Sequence, residues 1–355
     1  MKTPDAAPVL VWGAGAIGGT MAAWWTRAGI PVLMVDIEAQ HVATCRTSGL
    51  QIEGPVDSFT QVIPSVTPEE LAAMPPRSFS QVVLAVKATA TDAALDAIAP
   101  RLAADGVVLS AQNGLNELVI ASRIGEARTL GCFVNFAADW LAPGRILFGS
   151  RGTLVLGELD GAVHDRTRRM HELLQVFEPN AQLSTNIWGN LWGKLGYLSM
   201  VYATALNDDT MLANFEDPAR RAIFLALGRE AMAVARAHGV VPIGFAGFEP
   251  LAFMPGAPDA DAGRSMAALC DYRRKSAKTH SGIWRDLSVR KRRTEVDSQI
   301  GLMARMGTEA GVPTPMLHAL TRLIHDIEEG RRTQSAQTFR TLATPCQPLT
   351  TSVAA

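Results

Sequence analysis

A glycine-rich turn between an apolar segment and a helical one constrains this chain more than any other feature. The apolar segment VLVW, residues 9–12, is followed by Gly13, Gly15 and Gly18 in the pattern GxGxxG. A helix is predicted over residues 16–27, and a second apolar segment follows it. A strand, a glycine turn, a helix and a further strand in this order predict a parallel βαβ unit.

Each glycine has a physical use in such a turn. Gly13 permits the tight turn, Gly15 lets a phosphate group approach the backbone, and Gly18 lets the helix pack closely on the strand. The helix N-terminus favours negative charge, so the predicted binding segment includes Ala16 and Ile17. We expect this turn to hold the pyrophosphate of a dinucleotide, with FAD as the main competitor to a nicotinamide cofactor.

The second predicted strand, in the segment PVLMVD, ends at Asp36. A carboxylate at this place can accept hydrogen bonds from the ribose hydroxyls of the adenosine, and it repels the 2′-phosphate of NADP. The expected cofactor is therefore NAD or NADP, with NAD preferred.

The first half of the chain continues with apolar segments at residues 80–86, 106–114 and 129–138, separated by helical or polar stretches. This alternation predicts a Rossmann-type parallel sheet with helices on both faces, hence an α/β N-terminal domain. Residues 144–158, GRILFGSRGTLVLGE, are predicted as two short strands joined by a glycine turn at the sheet edge.

The pattern becomes helical from about residue 190, which predicts an all-helical C-terminal domain. The predicted boundaries are 1–186 for the dinucleotide-binding domain and 187–333 for a helical substrate and dimerisation domain. Residues 247–263 are rich in Gly and Pro and are predicted as a loop or connector. Residues 334–355 lack periodicity and are predicted to be a disordered tail.

Composition narrows the class of protein. The formal net charge is -1 and basic residues are dispersed, which argues against a nucleic-acid partner. No apolar stretch is long enough for a membrane span, and the N-terminus lacks a secretion signal, so we expect a cytoplasmic protein. The four cysteines Cys45, Cys132, Cys270 and Cys346 are widely spaced, which predicts reduced thiols and no metal site.

Several downstream motifs, taken in order, resemble those of one enzyme family. The segments are LAVKATATDAAL, LSAQNGLNE, NLWGKLGYLSM, HSGIWRDLSVRKRRTEVD and AGVPTPML. Together they resemble the ketopantoate reductases, the 2-dehydropantoate 2-reductases, from about Val9 to about Gly330. This resemblance implies an NAD(P)-dependent oxidoreductase that transfers hydride between a nicotinamide and a 2-oxo acid or related carbonyl, and it implies a homodimer.

The resemblance also implies roles for individual residues. Lys194 of WGK matches the catalytic lysine that donates the proton to the substrate carbonyl, and Glu295 of TEVD matches the acidic residue that orients the substrate and the lysine. Lys87 would lie near the cofactor, and Asn113 of QNG between nicotinamide and substrate. A lysine is chemically suited to this role because it can stabilise charge on the carbonyl oxygen and protonate it.

The chain departs from the family at its substrate contacts. Leu198 and Tyr202 stand where family members carry asparagines, four and eight residues after the lysine. The family's substrate-binding serine falls at Ser281 or Gly282, depending on the alignment. The candidate substrate-binding residues are therefore Asn113, Tyr202, His280 and Ser281, and these departures favour a substrate bulkier or less polar than ketopantoate.

Two alternatives remain open from the sequence. An opine-type dehydrogenase, which reduces an imine, would need a His–Asp pair, for which His280 and Asp286 are the only named candidates. A non-catalytic dinucleotide sensor would explain the lost asparagines, although the retention of Lys194 and Glu295 argues against it.

Overall fold

The chain divides into two units that differ in secondary structure. The computed structural model describes residues 7–76, 78–275 and 278–343. The first unit ends at Ile187 and the second begins at Trp188. The boundary predicted from the sequence lies between residues 186 and 187.

A ten-stranded mixed sheet forms the centre of the first unit. Its strands are β1 (Val9–Trp12), β2 (Val32–Val35), β3 (Leu50–Glu53), β4 (Phe59–Gln61), β5 (Ser65–Val66), β6 (Phe79–Leu84), β7 (Leu102–Ser110), β8 (Thr129–Ala142), β9 (Arg145–Glu158) and β10 (Gln182–Leu183). They are ordered β4-β3-β9-β8-β7-β6-β1-β2-β5, and β10 pairs with β9. Because β7, β6, β1 and β2 are neighbouring parallel strands, the segments that follow them meet at one edge of the sheet.

Helices cover both faces of this sheet. They are α1 (Ala16–Arg27), α2 (Ala39–Thr47), α3 (Pro68–Ala73), α4 (Thr91–Ile98), α5 (Asn116–Ile124) and α6 (Asp165–Phe177). One apolar core contains side chains of α1 and α6, including Trp25 and Met170. The other contains side chains of α3, α4 and α5, including Leu71, Leu95 and Ile120. The predicted α/β architecture is confirmed.

The antiparallel hairpin lies elsewhere than the sequence analysis predicted. Residues 144–158 do not fold into two short strands, because residues 145–158 form the single strand β9, which pairs with β8 around a turn at residues 143–144. A Cβ at Gly152 would overlap the carbonyl oxygen of Asn135, so this glycine permits close strand approach and forms no turn. β9 also lies between β3 and β8 in the order, not at an edge.

The regular elements of the second unit, within its described residues, are helices apart from one isolated bridge between Phe245 and Phe248. They are α7 (Ile187–Thr204), α8 (Met211–Glu216), α9 (Arg221–Ala237), α10 (Asp259–Arg274), α11 (Gly282–Ser288), α12 (Val296–Glu309), α13 (Pro315–Glu328) and α14 (Ala336–Thr341). The predicted all-helical C-terminal domain is confirmed.

Two segments of the second unit correct the sequence prediction. The first turn of α10 falls within residues 247–263, which were expected to form a connector. α14 falls within the expected disordered tail, and its Phe339 is buried together with the following Leu342. Residues 344–355, the remainder of that tail, lie outside the described part of the chain.

Three of the four cysteines, Cys45, Cys132 and Cys270, are buried. Cys346 lies outside the described residues. In the part of the chain that the structure describes, no helix has both the length and the hydropathy to cross a bilayer. The same residues contain no group of three His, Cys, Asp or Glu side chains that could hold a metal ion.

Candidate functional site

The three glycines of the turn between β1 and α1 differ in what surrounds them. A Cβ on Gly13 would lie 2.8 Å from backbone atoms of Ala85 and Val86, and Gly13 has a φ of +100°. A Cβ on Gly18 would overlap the carbonyl oxygen of Gly13, whereas a Cβ on Gly15 would meet no atom within 4 Å. The fold therefore requires two of these glycines, and the middle one borders open space that fits a pyrophosphate.

Helix α1 begins at this open space. Gly15 is its N-cap, no side chain caps the helix, and its first turn contains no acidic residue. Gly15, Ala16 and Ile17 are partly exposed, whereas Gly18 is buried. A helix N-terminus without a side-chain cap or an acidic residue can bind anions through its free N–H groups and its dipole. These residues therefore fit the phosphates of a dinucleotide.

Asp36 holds the same turn from the end of β2. Its Oδ2 accepts a hydrogen bond from the Ala14 N–H at 2.7 Å, and its Oδ1 accepts one from the Glu38 N–H at 3.0 Å. A carboxylate has roughly four acceptor positions, so both oxygens can still accept from a ribose. The sequence predicted only the ribose contact, and the structure adds that Asp36 fixes the backbone of the turn.

A buried histidine, which the sequence analysis missed, ties this turn to the β8–β9 hairpin. Nδ1 of His41 accepts a hydrogen bond from the Gly144 N–H at 2.9 Å, so the ring proton lies on Nε2. Nε2 donates to the Ala14 carbonyl at 2.8 Å. Ala14 is thus held by Asp36 at its N–H and by His41 at its carbonyl.

The segments after β6 and β7 lie at the same edge of the sheet. Lys87 follows β6, and Asn113, which is exposed, follows β7. Gln112 is buried, and its Nε2 donates a hydrogen bond to the Val86 carbonyl at 2.9 Å. Gln112 thereby joins the segment that carries Asn113 to the segment that carries Lys87.

In the second unit, α7 carries a partly exposed stripe. Asn190, Lys194 and Leu198 are each partly exposed and follow one another at intervals of four residues, so they lie on one face of the helix. Gly193 and Leu195, beside the lysine, are buried. Leu198 therefore presents an isobutyl group next to Lys194, at the position where the family pattern has an amide.

Tyr202, one turn beyond this stripe, is 1% exposed. Its side chain forms a hydrogen bond with that of Thr294 and interacts with the carboxylates of Glu295 and Glu328. Burial is the main cause that raises the pKa of Tyr202 well above its usual value, and these carboxylates raise it further. The sequence predicts a substrate contact for this phenol. In the structure, the phenol of α7 contacts the segment that begins α12.

Carboxylates fix the segment around Glu295. Glu295 is the partly exposed N-cap residue of α12. The N–H and the hydroxyl of Thr294 both donate to Oε1 of Glu328 at 2.7 Å. In the segment that precedes Thr294, the carboxylate of Asp286 accepts a hydrogen bond from Nε of Arg292 at 2.9 Å. The candidate orienting residue thus lies in an anchored turn.

Ser281 and Gly282 begin α11. Ser281 is buried, and its Oγ accepts a hydrogen bond from the Trp284 N–H at 3.0 Å, which caps the helix. A Cβ on Gly282 would meet no atom within 4 Å. The hydroxyl of Ser281 therefore serves the helix, while the position of Gly282 has room for a serine.

His280 has structural contacts at both ring nitrogens. Nε2 lies 3.1 Å from the carbonyl oxygen of Asp208, and Nδ1 lies 3.0 Å from the hydroxyl of Thr279. The ring also packs on Trp284, with 4.2 Å between centroids. These contacts give no support to a catalytic His–Asp pair with Asp286.

Family models match both units of the chain. Residues 9–161 match the model described as ketopantoate reductase PanE/ApbA, and residues 186–328 match the model of its C-terminal part. A 2-dehydropantoate 2-reductase of Mesorhizobium japonicum is 29% identical over 344 residues, which cover 89% of this chain and 96% of that protein.

Solved structures share the fold over nearly the whole chain. The ternary structure of D-mandelate dehydrogenase with NADH and anilino(oxo)acetate superposes with a TM-score of 0.79 at 20% identity, covering 91% of this chain and 99% of that one. A PanE/ApbA family ketopantoate reductase from Ralstonia eutropha JMP134 superposes with a TM-score of 0.75 at 25% identity, covering 92% and 100%.

Proposed function

Because the chain belongs to the ketopantoate reductase family of oxidoreductases, we propose that it reduces the keto group of a 2-oxo acid with a bulky, apolar side chain. The observation that carries this substrate class is Leu198, partly exposed one turn from Lys194 on α7. An isobutyl group favours an apolar substrate group and cannot hydrogen-bond a substrate hydroxyl, as the asparagine of the family pattern could.

The fold shared with D-mandelate dehydrogenase supports this substrate class. The name of that enzyme refers to a 2-hydroxy acid with a phenyl group, and its structure contains an anilino-substituted oxo acid. A phenyl or branched aliphatic group on the keto carbon is therefore the side chain that we propose.

In this proposal Lys194 is the proton donor. The nicotinamide, when bound, supplies hydride to the keto carbon. Charge then develops on the keto oxygen, which the ammonium of Lys194 stabilises and protonates. Glu295 orients the lysine and the substrate from the N-cap of α12, and Asn113 positions the substrate. Tyr202 acts indirectly by holding the segment of Glu295.

We propose NAD as the preferred cofactor. Asp36 and Glu38 place two carboxylates in the three residues that follow β2, with Ile37 between them. These carboxylates repel a 2′-phosphate, and a ribose with free hydroxyls can donate to Asp36. NADH should therefore be used more efficiently than NADPH.

The test follows nicotinamide absorbance with NADH or NADPH and two substrates, 2-oxo-2-phenylacetate and ketopantoate. We expect the fastest turnover with the phenyl substrate and NADH. Lys194→Ala should lower kcat by at least about 100-fold while dinucleotide binding persists. Lys275→Ala, which removes an exposed lysine, is the control and should keep full activity.

The other results would contradict the proposal in distinct ways. Faster turnover of ketopantoate would disprove the apolar substrate class and leave the reaction type intact. Dinucleotide binding without reduction of any 2-oxo acid would disprove the reaction itself and favour the imine-reducing or sensor alternatives.

We also propose that the chain forms a homodimer and acts in the cytoplasm. A ketopantoate reductase from Staphylococcus aureus is described as dimeric. Leu251, Tyr272 and Val289 of the second unit are large apolar side chains with 46–65% exposure, which a partner subunit could cover. Sedimentation at micromolar concentration should give the mass of a dimer, and a monomer alone would contradict this.

A further inference from the structure

An arginine near the end of α10 lies over a buried tyrosine of α7. Cζ of Arg273 is 5.4 Å from the centroid of the Tyr197 ring, and Tyr197 is only 7% exposed. The same ring contacts Phe245 and Phe248, with centroid distances of 5.5 and 6.0 Å. The guanidinium therefore lies against an aromatic cluster.

Polar atoms of both side chains are buried without a hydrogen-bond partner in the described part of the chain. These atoms are Nε of Arg273 and the hydroxyl oxygen of Tyr197. The next residue, Arg274, differs because it donates hydrogen bonds to Glu216 and Asp271. Burial also lowers the pKa of Arg273. A desolvated cation and a buried hydroxyl without acceptors destabilise the folded chain, and an anion bound between them would offset that cost.

The position of Arg273 and Tyr197 relative to Lys194 indicates which anion they would bind. Tyr197 follows Lys194 by three residues, so the two are neighbours on the surface of α7. In a 2-oxo acid the carboxylate is bonded directly to the keto carbon, so groups that bind it must lie beside the group that protonates the keto oxygen. We propose that Arg273 and Tyr197 bind the carboxylate of the 2-oxo acid, an inference that rests on the function proposed above.

The chemistry of the two side chains suits this ligand. Guanidinium N–H groups form a planar fork that matches a carboxylate, and the phenol supplies one further donor. The surrounding aromatic rings exclude water, which strengthens hydrogen bonds to a charged group. Three parts of the substrate then have separate partners in the second unit: Lys194 meets the keto oxygen, Leu198 the apolar group, and Arg273 with Tyr197 the carboxylate.

The test measures binding of anilino(oxo)acetate to the NADH-loaded chain by calorimetry. Its neutral counterpart, in which a carboxamide replaces the carboxylate, is measured in parallel. Arg273→Met should weaken binding of the acid roughly 10- to 100-fold, and Tyr197→Phe roughly 10-fold. Arg274→Gln, the matched control, removes the exposed neighbouring charge and should leave the affinity unchanged. The neutral counterpart should bind the wild type and Arg273→Met equally.

Thermal unfolding of the ligand-free variants separates binding from a structural role. Because both changes remove buried donors that lack acceptors, Arg273→Met and Tyr197→Phe should melt at the same temperature as the wild type or higher. A lower melting temperature, with equal loss of affinity for the acid and its neutral counterpart, would overturn the proposal in favour of a structural role.

The two proposals fail in different experiments. If the wild type reduces 2-oxo acids and Arg273→Met binds the acid as tightly as the wild type, the carboxylate site is wrong and the function stands. If the wild type reduces no 2-oxo acid, the proposed function is wrong, whatever the variants bind.

Discussion

At the scale of single residues, the carboxylate to which we attribute the preference for NAD also fixes the shape of the glycine turn. Asp36 is the residue that we propose binds the ribose, and it also accepts a hydrogen bond from the N–H of Ala14 at 2.7 Å. Replacing Asp36 to admit a 2′-phosphate would release that N–H as well. His41 would then hold Ala14 alone, through its carbonyl. A change of cofactor preference at this site therefore needs a replacement that still accepts from the backbone.

Leu198→Asn should shift specificity from apolar 2-oxo acids toward ketopantoate. The amide can hydrogen-bond a substrate hydroxyl, and it packs less well on an apolar group. The ratio of the two kcat/KM values should change by roughly 10- to 100-fold, as measured by steady-state kinetics with both substrates. Leu198→Met keeps an apolar side chain and should preserve the ratio. An unchanged ratio in Leu198→Asn would show that this residue does not contact the substrate.

At the scale of elements, one carboxyl group joins α9 to the start of α13. Glu230 accepts hydrogen bonds from the N–H groups of Met316 and Leu317, each at 2.9 Å. Burial nevertheless raises the pKa of Glu230 from 4.5 to about 7. The junction is therefore sensitive to pH near neutrality.

The sign of that sensitivity follows from the raised pKa. The folded chain binds the proton of Glu230 more tightly than the unfolded chain, so its stabilising effect is complete below about pH 4.5 and is lost as the pH rises through about 7. The free energy of unfolding should fall across this window by up to about 3 kcal/mol. Urea titrations at about pH 5 and about pH 8 measure this fall. Glu230→Gln should abolish it, and Glu309→Gln, at an exposed position, should not.

The elements that the sequence predicts well carry strong local signals. The predicted bounds of α1 match the structure, because Gly29, with a φ of +83°, ends the helix where its N–H bonds the Thr26 carbonyl. The glycines of β9 lead to a wrong prediction of a turn. A glycine is needed at position 152 because a Cβ there would overlap the backbone of Asn135 on the neighbouring strand β8. That contact is distant in sequence and leaves no local pattern.

The same distinction applies to the candidate site. The glycine turn, Asp36 and Lys194 can be found from spacing and family resemblance alone. His41 and Arg273 cannot, because what distinguishes them is their contact with groups that are distant in sequence and that only the folded chain brings near.

At the scale of the whole molecule, the second unit extends beyond α13, the last helix that the sequence pattern predicts. The Gln334 side chain and the Ser335 N–H donate hydrogen bonds to the carbonyls of Ala205 and Leu206, which follow α7. Phe339 and Leu342 are 3% and 0% exposed. The C-terminal segment is therefore hydrogen-bonded to the residues after α7, and its Phe339 contacts Phe224 of α9, with 5.9 Å between ring centroids.

A chain truncated after Thr333 should lose roughly 3 to 6 kcal/mol of unfolding free energy, since burial of two large apolar side chains is lost. Urea unfolding followed by circular dichroism measures the loss. A chain truncated after Ala343 is the matched control and should unfold like the full-length protein. Equal stability of both truncated chains would show that α14 contributes nothing to the core.

The order of strands in the sheet has a consequence for behaviour in concentrated solution. The path through the sheet ends in β4 and β5, which have three and two residues, whereas β8 and β9, with fourteen residues each, lie inside it. An exposed strand edge is a template on which another chain can add by backbone pairing, and its hazard grows with its length. β8 and β9 pair with each other along nearly their whole length, and β8 is also paired with β7 at residues 129–131 and β9 with β3 at residues 145–147. Self-association into fibrils through these doubly paired stretches would first require the sheet to open.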